Sequence, residues 1–352
     1  MRLRNSVFLL SLLILVAACR PTRAQNDSTY KAHALPNLVT GANVRPVGDT
    51  RRGYGSQKAR ETLNRLKKMN VNTVAILMEG YMRDVNDVEI RFKEGEALKS
   101  IEAVLKDANK MGLSTILIPH LYIQDGTWRG LIKMSDAKQR DTWWTSYSRF
   151  ISTAADIAER SGTTMLSLGV ELKSMSKELD TRTRMRGLKA DVQKSYQGLL
   201  TYSANWDEAE DVVFWDLIDV VGVNGYYPLR PDVIRGAETA GRRLAALNRQ
   251  TGKDVLVLEV GYRAGPMSHV EPWAWPEDVE NKEVDQLAQA TNWAAILAHW
   301  LNVPGVRGLL VWVIPTDPDD PASEPPNGFN PINKSAEEVL RRAFSAYAQK
   351  AG

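Results

Sequence analysis

The chain has 352 residues, 43% hydrophobic and 25% charged, which is ordinary globular composition for one large α/β barrel or two smaller domains. A net charge of +3, dispersed along the chain, gives no basis for a nucleic-acid partner. Ten tryptophans are more informative, because flat indole faces stack on sugar rings as well as filling cores.

In chain order, Arg2 and Arg4 precede an apolar run from Val7 to Val16, too short to span a bilayer as a stable helix. Ala17 and Ala18 then lead to Cys19, the only cysteine. This pattern resembles a bacterial lipoprotein signal, cleaved before Cys19 and lipidated on its thiol; the plainer alternative is an ordinary signal peptide cut near Ala24. The expectation is a signal peptide over residues 1–18, then Cys19 and a polar tether through residue 35. The barrel follows over 36–352, exported and held to the cell envelope (outer membrane or cell surface) through that lipid. With a single cysteine no disulfide forms within the chain, so packing must supply the stability.

Past the tether, strand-like and helix-like segments alternate. Asn37–Val44 predicts a first strand, and Ser56–Met69 a helix with Ala59, Leu63 and Leu66 on one face. Val71–Met78 is the second strand and Glu94–Met111 its helix, with Gly112 placed to end it. Leu113–Ile123 is the third strand, with a helix over Asp141–Arg160. Thr163–Glu171 is the fourth, with a helix over Thr181–Gln197 closed by Gly198. Leu199–Asn205 is the fifth strand, with a short helix predicted over Asp207–Asp219. Val220–Tyr227 is the sixth strand, followed by a helix over Pro231–Gln250. Asp254–Tyr262 is the seventh, with a helix over Asp285–Leu301. Val306–Ile314 is the eighth, and Ser335–Ala348 closes the chain.

The strands are continuous apolar runs rather than alternating ones, as a parallel sheet covered on both faces requires. Eight strand–helix pairs therefore predict a single-domain α/β protein, a (β/α)8 TIM barrel. An open doubly wound sheet is the runner-up, but GANVRPVGDTRRGYG after the first strand is not the dinucleotide fingerprint. Long loops follow strands seven (AGPMSHVEPWAWPEDVENKE) and eight (PTDPDDPASEPPNGFNP), on the face where barrel active sites lie.

Two strands end on carboxylates: SGTTMLSLGVEL on Glu171 and KDVLVLEVGYR on Glu259. An acid at the end of an apolar strand is costly to bury unless paired or functional. Glu171 shares strand parity with Ser167 and Gly169, and Glu259 with Val255 and Val257. These are side chains small enough for a barrel interior, so both acids are expected to point inward. Two such carboxyls could divide proton donation and nucleophilic attack on a glycosidic bond, and a separation of about 5–5.5 Å would give retention. Alternatively each could cap a helix or pair with an arginine such as Arg263.

Other candidates are weaker. Glu79 could reach the cleft from strand two. Trp143, Trp144, Trp215 and Trp300 lie in helix-like segments and read as core. Trp273 and Trp275 sit in the seventh loop, where sugar stacking and loop packing are equally open. Asp317, Asp319 and Asp320 read as a solvated acidic turn rather than a Ca2+ loop. Four scattered histidines without HExxH give no zinc-hydrolase pattern, and there is neither a G-x-S-x-G elbow nor a P-loop. No metal or cofactor is called for.

LIPHLYIQDGTWRG is similar to the third-strand signature of glycoside hydrolase family 113, barrel β-mannanases of clan A. The resemblance runs on through FISTAADIAERSGTTMLSLGVEL, LLTYSANWDEAEDVVFWDLIDVVGVNGYYPL and VLEVGYR, covering about Asn37 to Ile314. It implies Glu171 as acid/base and Glu259 as nucleophile. It also implies Tyr226 (with Tyr227 as fallback) bonded to the nucleophile and Trp312 flooring the reacting-sugar subsite. Trp128, Arg129, His120, Asn205 and Trp206 match further cleft positions. The implied activity is retaining hydrolysis of β-1,4-mannan or manno-oligosaccharides; a bell-shaped pH dependence follows from the two carboxyls, and a monomer is expected. Two positions depart from the pattern: Ile118 stands where many relatives carry Lys, and Val170 where the clan usually has an Asn touching the sugar 2-hydroxyl. The alternatives are a glycosidase for another β-hexoside and a non-catalytic surface glycan-binding lipoprotein.

Overall fold

The structure is a computed structural model that describes residues 31–48 and 50–351; the expected signal peptide and Cys19 lie outside the described residues. Eight parallel strands form the barrel: β1 (Val39–Arg45), β2 (Thr73–Met82), β3 (Ser114–Ile123), β4 (Met165–Val170), β5 (Leu199–Asn205), β6 (Val220–Asn224), β7 (Val255–Val260) and β8 (Val306–Pro315). Each pairs with its sequence neighbours, and β1 pairs with both β2 and β8, so the sheet closes on itself. A two-residue antiparallel strand, Arg91–Phe92, edges the end of β2. The expected single-domain (β/α)8 barrel is the fold observed.

The helices longer than a single turn are α1 (Gln57–Lys68), α2 (Glu96–Lys110), α3 (Ala137–Ser161), α4 (Leu179–Val192), α5 (Val233–Thr251), α6 (Gln286–Trp300) and α7 (Ser335–Ala351). Their starts follow the sequence: Ser56, Asp136, Asp232 and Asp285 each accept the N–H three residues on, satisfying a donor the helix cannot. Gly162 and Gly252 end α3 and α5 in the left-handed region.

One expected helix is absent. Asp207–Asp219 forms turns and a single 3-10 turn at Trp215–Leu217. Within it Glu208 folds inward and accepts the Asn205 N–H at 2.9 Å, and Trp215 Nε1 donates back to Ala209 O at 2.8 Å, holding the segment as a compact turn. Likewise α4 stops at Val192 rather than running on to Gln197, because the Tyr196 ring turns in and its hydroxyl donates to Thr163 O at 3.0 Å.

Each strand is buried on both faces. Ala75, Leu77, Ile116, Ile118, Leu256 and Leu258 fill the barrel interior. Ile76, Leu117, Leu166, Val221, Val257 and Val311 pack outward against the helices. Trp143, Trp144, Trp215 and Trp300 belong to this outer layer, core residues as expected.

Residues 31–36 cross the floor of the barrel, the end holding the strand N-termini. Asn109 Nδ2 donates to Lys31 O at 3.3 Å, Thr164 Oγ1 to His33 O at 2.9 Å and Ser114 Oγ to Ala34 O at 2.9 Å. Arg307 reaches Leu35 O and Pro36 O at 3.1 and 3.0 Å. The last residues of the expected tether are thus bound to the barrel, with Leu35 buried against its interior.

Candidate active site

At the opposite end, the strand C-termini open into a cleft of about 1140 Å3. Glu171 and Glu259 both line it, 5% and 3% exposed. They arrive there for a different reason from the one parity suggests. Val255 and Val257 face the helices, and a Cβ on Gly169 would meet Tyr147 Oη of α3, so Glu259 and Glu171 do not continue an inward-facing row. Register shifts redirect both chains: Val223 pairs with Val257 but Asn224 with Glu259, and Ser167 pairs with Thr201 but Val170 with Ser203. Such irregularities re-aim side chains at barrel rims. Glu171 then lies just past β4 in the left-handed region, φ 51°, rare for a residue bearing a side chain.

The two carboxyls have different company. Glu171 Oε2 accepts Trp128 Nε1 at 2.8 Å and Arg129 Nη1 at 2.6 Å, while Oε1 accepts Asn224 Nδ2 at 2.8 Å. Ser203 Oγ donates to Asn224 Oδ1 at 2.6 Å, which fixes the amide's orientation. Glu259 Oε2 accepts the Tyr226 hydroxyl at 3.3 Å, and Glu259 Oε1 has no hydrogen-bond partner; His120 Nε2 is 3.9 Å from it. Burial, then the Glu171 charge, push the Glu259 carboxyl well above the usual carboxylate range, against the pull of Arg129. Burial, then Arg129, hold His120 well below its ordinary value, so its ring is neutral at pH 7.

Aromatic walls flank the acids. Trp312 lies 6.0 Å from the His120 ring at 20° and meets Trp275 edge-on at 6.5 Å. Across the cleft Trp206 and Trp273 are nearly parallel, 6.0 Å apart at 16°, with Trp273 44% exposed. Trp128, Arg129, His120, Asn205, Trp206, Tyr226 and Trp312 all line the cleft, together with residues of the long seventh loop. Tyr227 packs against Trp206 and Trp300 instead of reaching Glu259. Glu79 accepts the Tyr81 hydroxyl and does not line the cleft. Ile118 and Val170 are buried in the barrel interior.

Sequence reasoning missed Asn224, although an Asn closing the apolar run VVGVN was a usable signal. It also treated Arg263 only as a partner for an acid. Arg263 is buried in the cleft wall, its Nε has no hydrogen-bond partner, and burial lowers its affinity for a proton. The acidic turn is paired with bases: Arg65 meets Asp319 at 3.0 Å, Lys58 approaches Asp317 at 4.0 Å, and Arg52 pairs with Asp320. Among the described residues there is no group of three or more potential metal ligands.

Residues 47–327 match the model of Glycoside Hydrolase Family 113. The chain is similar to a GH113 β-mannanase from Alicyclobacillus acidocaldarius, solved in complex with ManMIm. Identity is 28% and the TM-score 0.77, over 88% of this chain and 97% of that one. A GH113 β-1,4-mannanase at 23% identity superposes with a TM-score of 0.79 over 88% and 99% of the two chains. A Glycoside Hydrolase Family 5 mannosidase from Rhizomucor miehei, at 11% identity, gives 0.61 over 92% and 98%. The last two are likenesses of fold alone. No curated protein sequence matches the chain.

Proposed function

Since the chain belongs to glycoside hydrolase family 113, we propose that it cleaves β-1,4-mannan or manno-oligosaccharides with net retention, using Glu259 as nucleophile and Glu171 as acid/base. The observation that carries this reading is the asymmetry of the two acids. Glu171 is held on both oxygens, whereas Glu259 Oε1 is buried at the cleft with no partner. That free oxygen attacks the anomeric carbon while Tyr226 steadies the other. Glu171 protonates the departing glycosidic oxygen, then draws a proton from the water that releases the glycosyl-enzyme. Catalysis needs one proton between the two acids: Glu171 must carry it when the glycosidic oxygen departs, and the positive charge developing on the reacting sugar favours ionised Glu259. No cofactor takes part.

A second reading, glycan binding without turnover, is favoured by the Arg129–Glu171 ion pair at 2.6 Å, which could lock the proton donor. Incubating a panel of β-glycans with the purified protein and with Glu259→Ala separates the two, with NMR recording the anomer formed first. β-Product from mannan by the unaltered protein alone supports hydrolysis with retention. Equal product from both forms would sink the nucleophile assignment, and retained binding with no product would favour the second reading. We extend the proposal to export as a lipid-anchored monomer. Palmitate labelling that persists in Cys19→Ser would overturn the anchor, and light scattering would test the oligomeric state.

A further inference from the structure

We infer that Glu208 is a positioning residue for Glu171, acting through the Tyr202 hydroxyl and the backbone of Leu172; the inference rests on the proposed acid/base role and deepens it. A left-handed backbone at a residue with a side chain, such as Glu171, is costly and persists only where the surroundings impose it. The Glu171 N–H donates to Ser203 O at 2.8 Å. One residue on, the Leu172 N–H donates to Tyr202 Oη at 2.7 Å, and the Tyr202 hydroxyl donates to Glu208 Oε1 at 2.5 Å. Glu208 Oε2 accepts the Asn205 N–H at 2.9 Å. One carboxylate thus ties the turn that carries Glu171 to the turn that carries cleft-lining Asn205.

Glu208 is 2% exposed, lines no part of the cleft and forms no ion pair with any described residue. Burial pushes its carboxyl up to about 7, a cost that a neutral side chain would avoid. What the acid supplies is direction. A hydroxyl has one proton, and the ionised form of Glu208 can only accept it. Tyr202 must therefore donate toward Glu208 and keep a lone pair for the Leu172 N–H. An amide at 208 could donate to Tyr202 and compete with Leu172 for that lone pair.

The test compares Tyr202→Phe, Glu208→Gln and the double variant on a manno-oligosaccharide, at a temperature where all three are folded by circular dichroism. Each single variant is expected to lose about 10–100-fold in kcat with KM changed less than about twofold, because a displaced proton donor weakens chemistry rather than binding. The double variant should lose no more than either single, since the two are links of one chain. Full kcat in either single variant, or losses that multiply in the double, would overturn the inference. Crystal structures of the unaltered protein and Tyr202→Phe give a readout independent of turnover. The Glu171 carboxylate is expected to leave Asn224 in the variant, and an unmoved carboxylate would overturn the inference. If the unaltered protein cleaves no glycan, the proposed activity fails and the crystal comparison alone decides the role of Glu208.

Discussion

Arg129 donates to Glu171 Oε2 at 2.6 Å, and the same guanidinium draws down the proton affinities of Glu259 and His120. It therefore acts on both candidate acids at once, holding one directly and restraining the upward shift that burial imposes on the other. The pair reacts while it holds one proton. Activity falls at acid pH as Glu259, the proposed nucleophile, becomes protonated.

Removing the Arg129 charge takes away its downward pull on Glu259, so burial raises that carboxyl further. In Arg129→Gln the acid limb of the kcat/KM profile should move upward by about one pH unit. The profile on a soluble manno-oligosaccharide between pH 4 and 10 checks this. A profile that stays in place or moves to acid would show that Arg129 does not set the charge of the pair.

Glu259→Gln should trade activity for stability. The folded carboxyl is raised above its unfolded value, so its contribution is fully present while both forms are protonated. It is lost as pH rises through the folded value, where a buried anion must be carried. A glutamine stays neutral throughout. The variant should melt with the unaltered protein near pH 4 and about 2–5 °C above it at pH 9, measured by calorimetry. A difference independent of pH would contradict the buried-anion explanation.

Trp273 is half-exposed and parallel to Trp206, so it can carry a sugar without supporting the core. Stacking of this kind contributes about 0.5–1.5 kcal/mol. Trp273→Ala should raise KM for long oligosaccharides up to about tenfold, with little change for an aryl monoglycoside or in melting temperature. An unchanged KM on the long substrate would remove this platform.

Gly308 closes the barrel where β8 meets β1. Its φ is 126°, and a Cβ there would lie 2.0 Å from Val39 O. Gly308→Ala should cost about 3–5 kcal/mol in urea unfolding or leave the protein insoluble. Gly187 in α4 has open space around it, and Gly187→Ala should be stabilising by about 0.5–1 kcal/mol. Equal effects at the two sites would contradict the steric account of closure.

The barrel was legible because two-sided burial writes itself as unbroken apolar runs such as VLVLEV and TILIP, and Gly or a capping acid punctuates them. The candidate acids were legible because a glutamate ending such a run is conspicuous. How they turn into the cleft was not, since a register shift depends on the partner strand: nothing in KDVLVLEV alone reveals that Val223 and Asn224 pair two residues apart on β7. The segment Asp207–Asp219 misled for a related reason. Its composition allows a helix, but Glu208 turns inward to Tyr202 of β5 and to the Asn205 N–H, a choice that composition does not reveal. Asn224 escaped notice because its amide matters only once Glu171 stands opposite.

The strap at residues 31–36 has a practical consequence. Lys31 leaves the barrel beside Asn109, and Tyr347 and Ala348 of α7 line a small hollow on that same floor, so both ends of the described chain emerge away from the cleft. A support or fusion partner attached at either end leaves the mouth open to a polymer. A shortened version meant to stay intact should begin no later than Lys31, because Leu35 and the carbonyls that Arg307 grips are part of the floor.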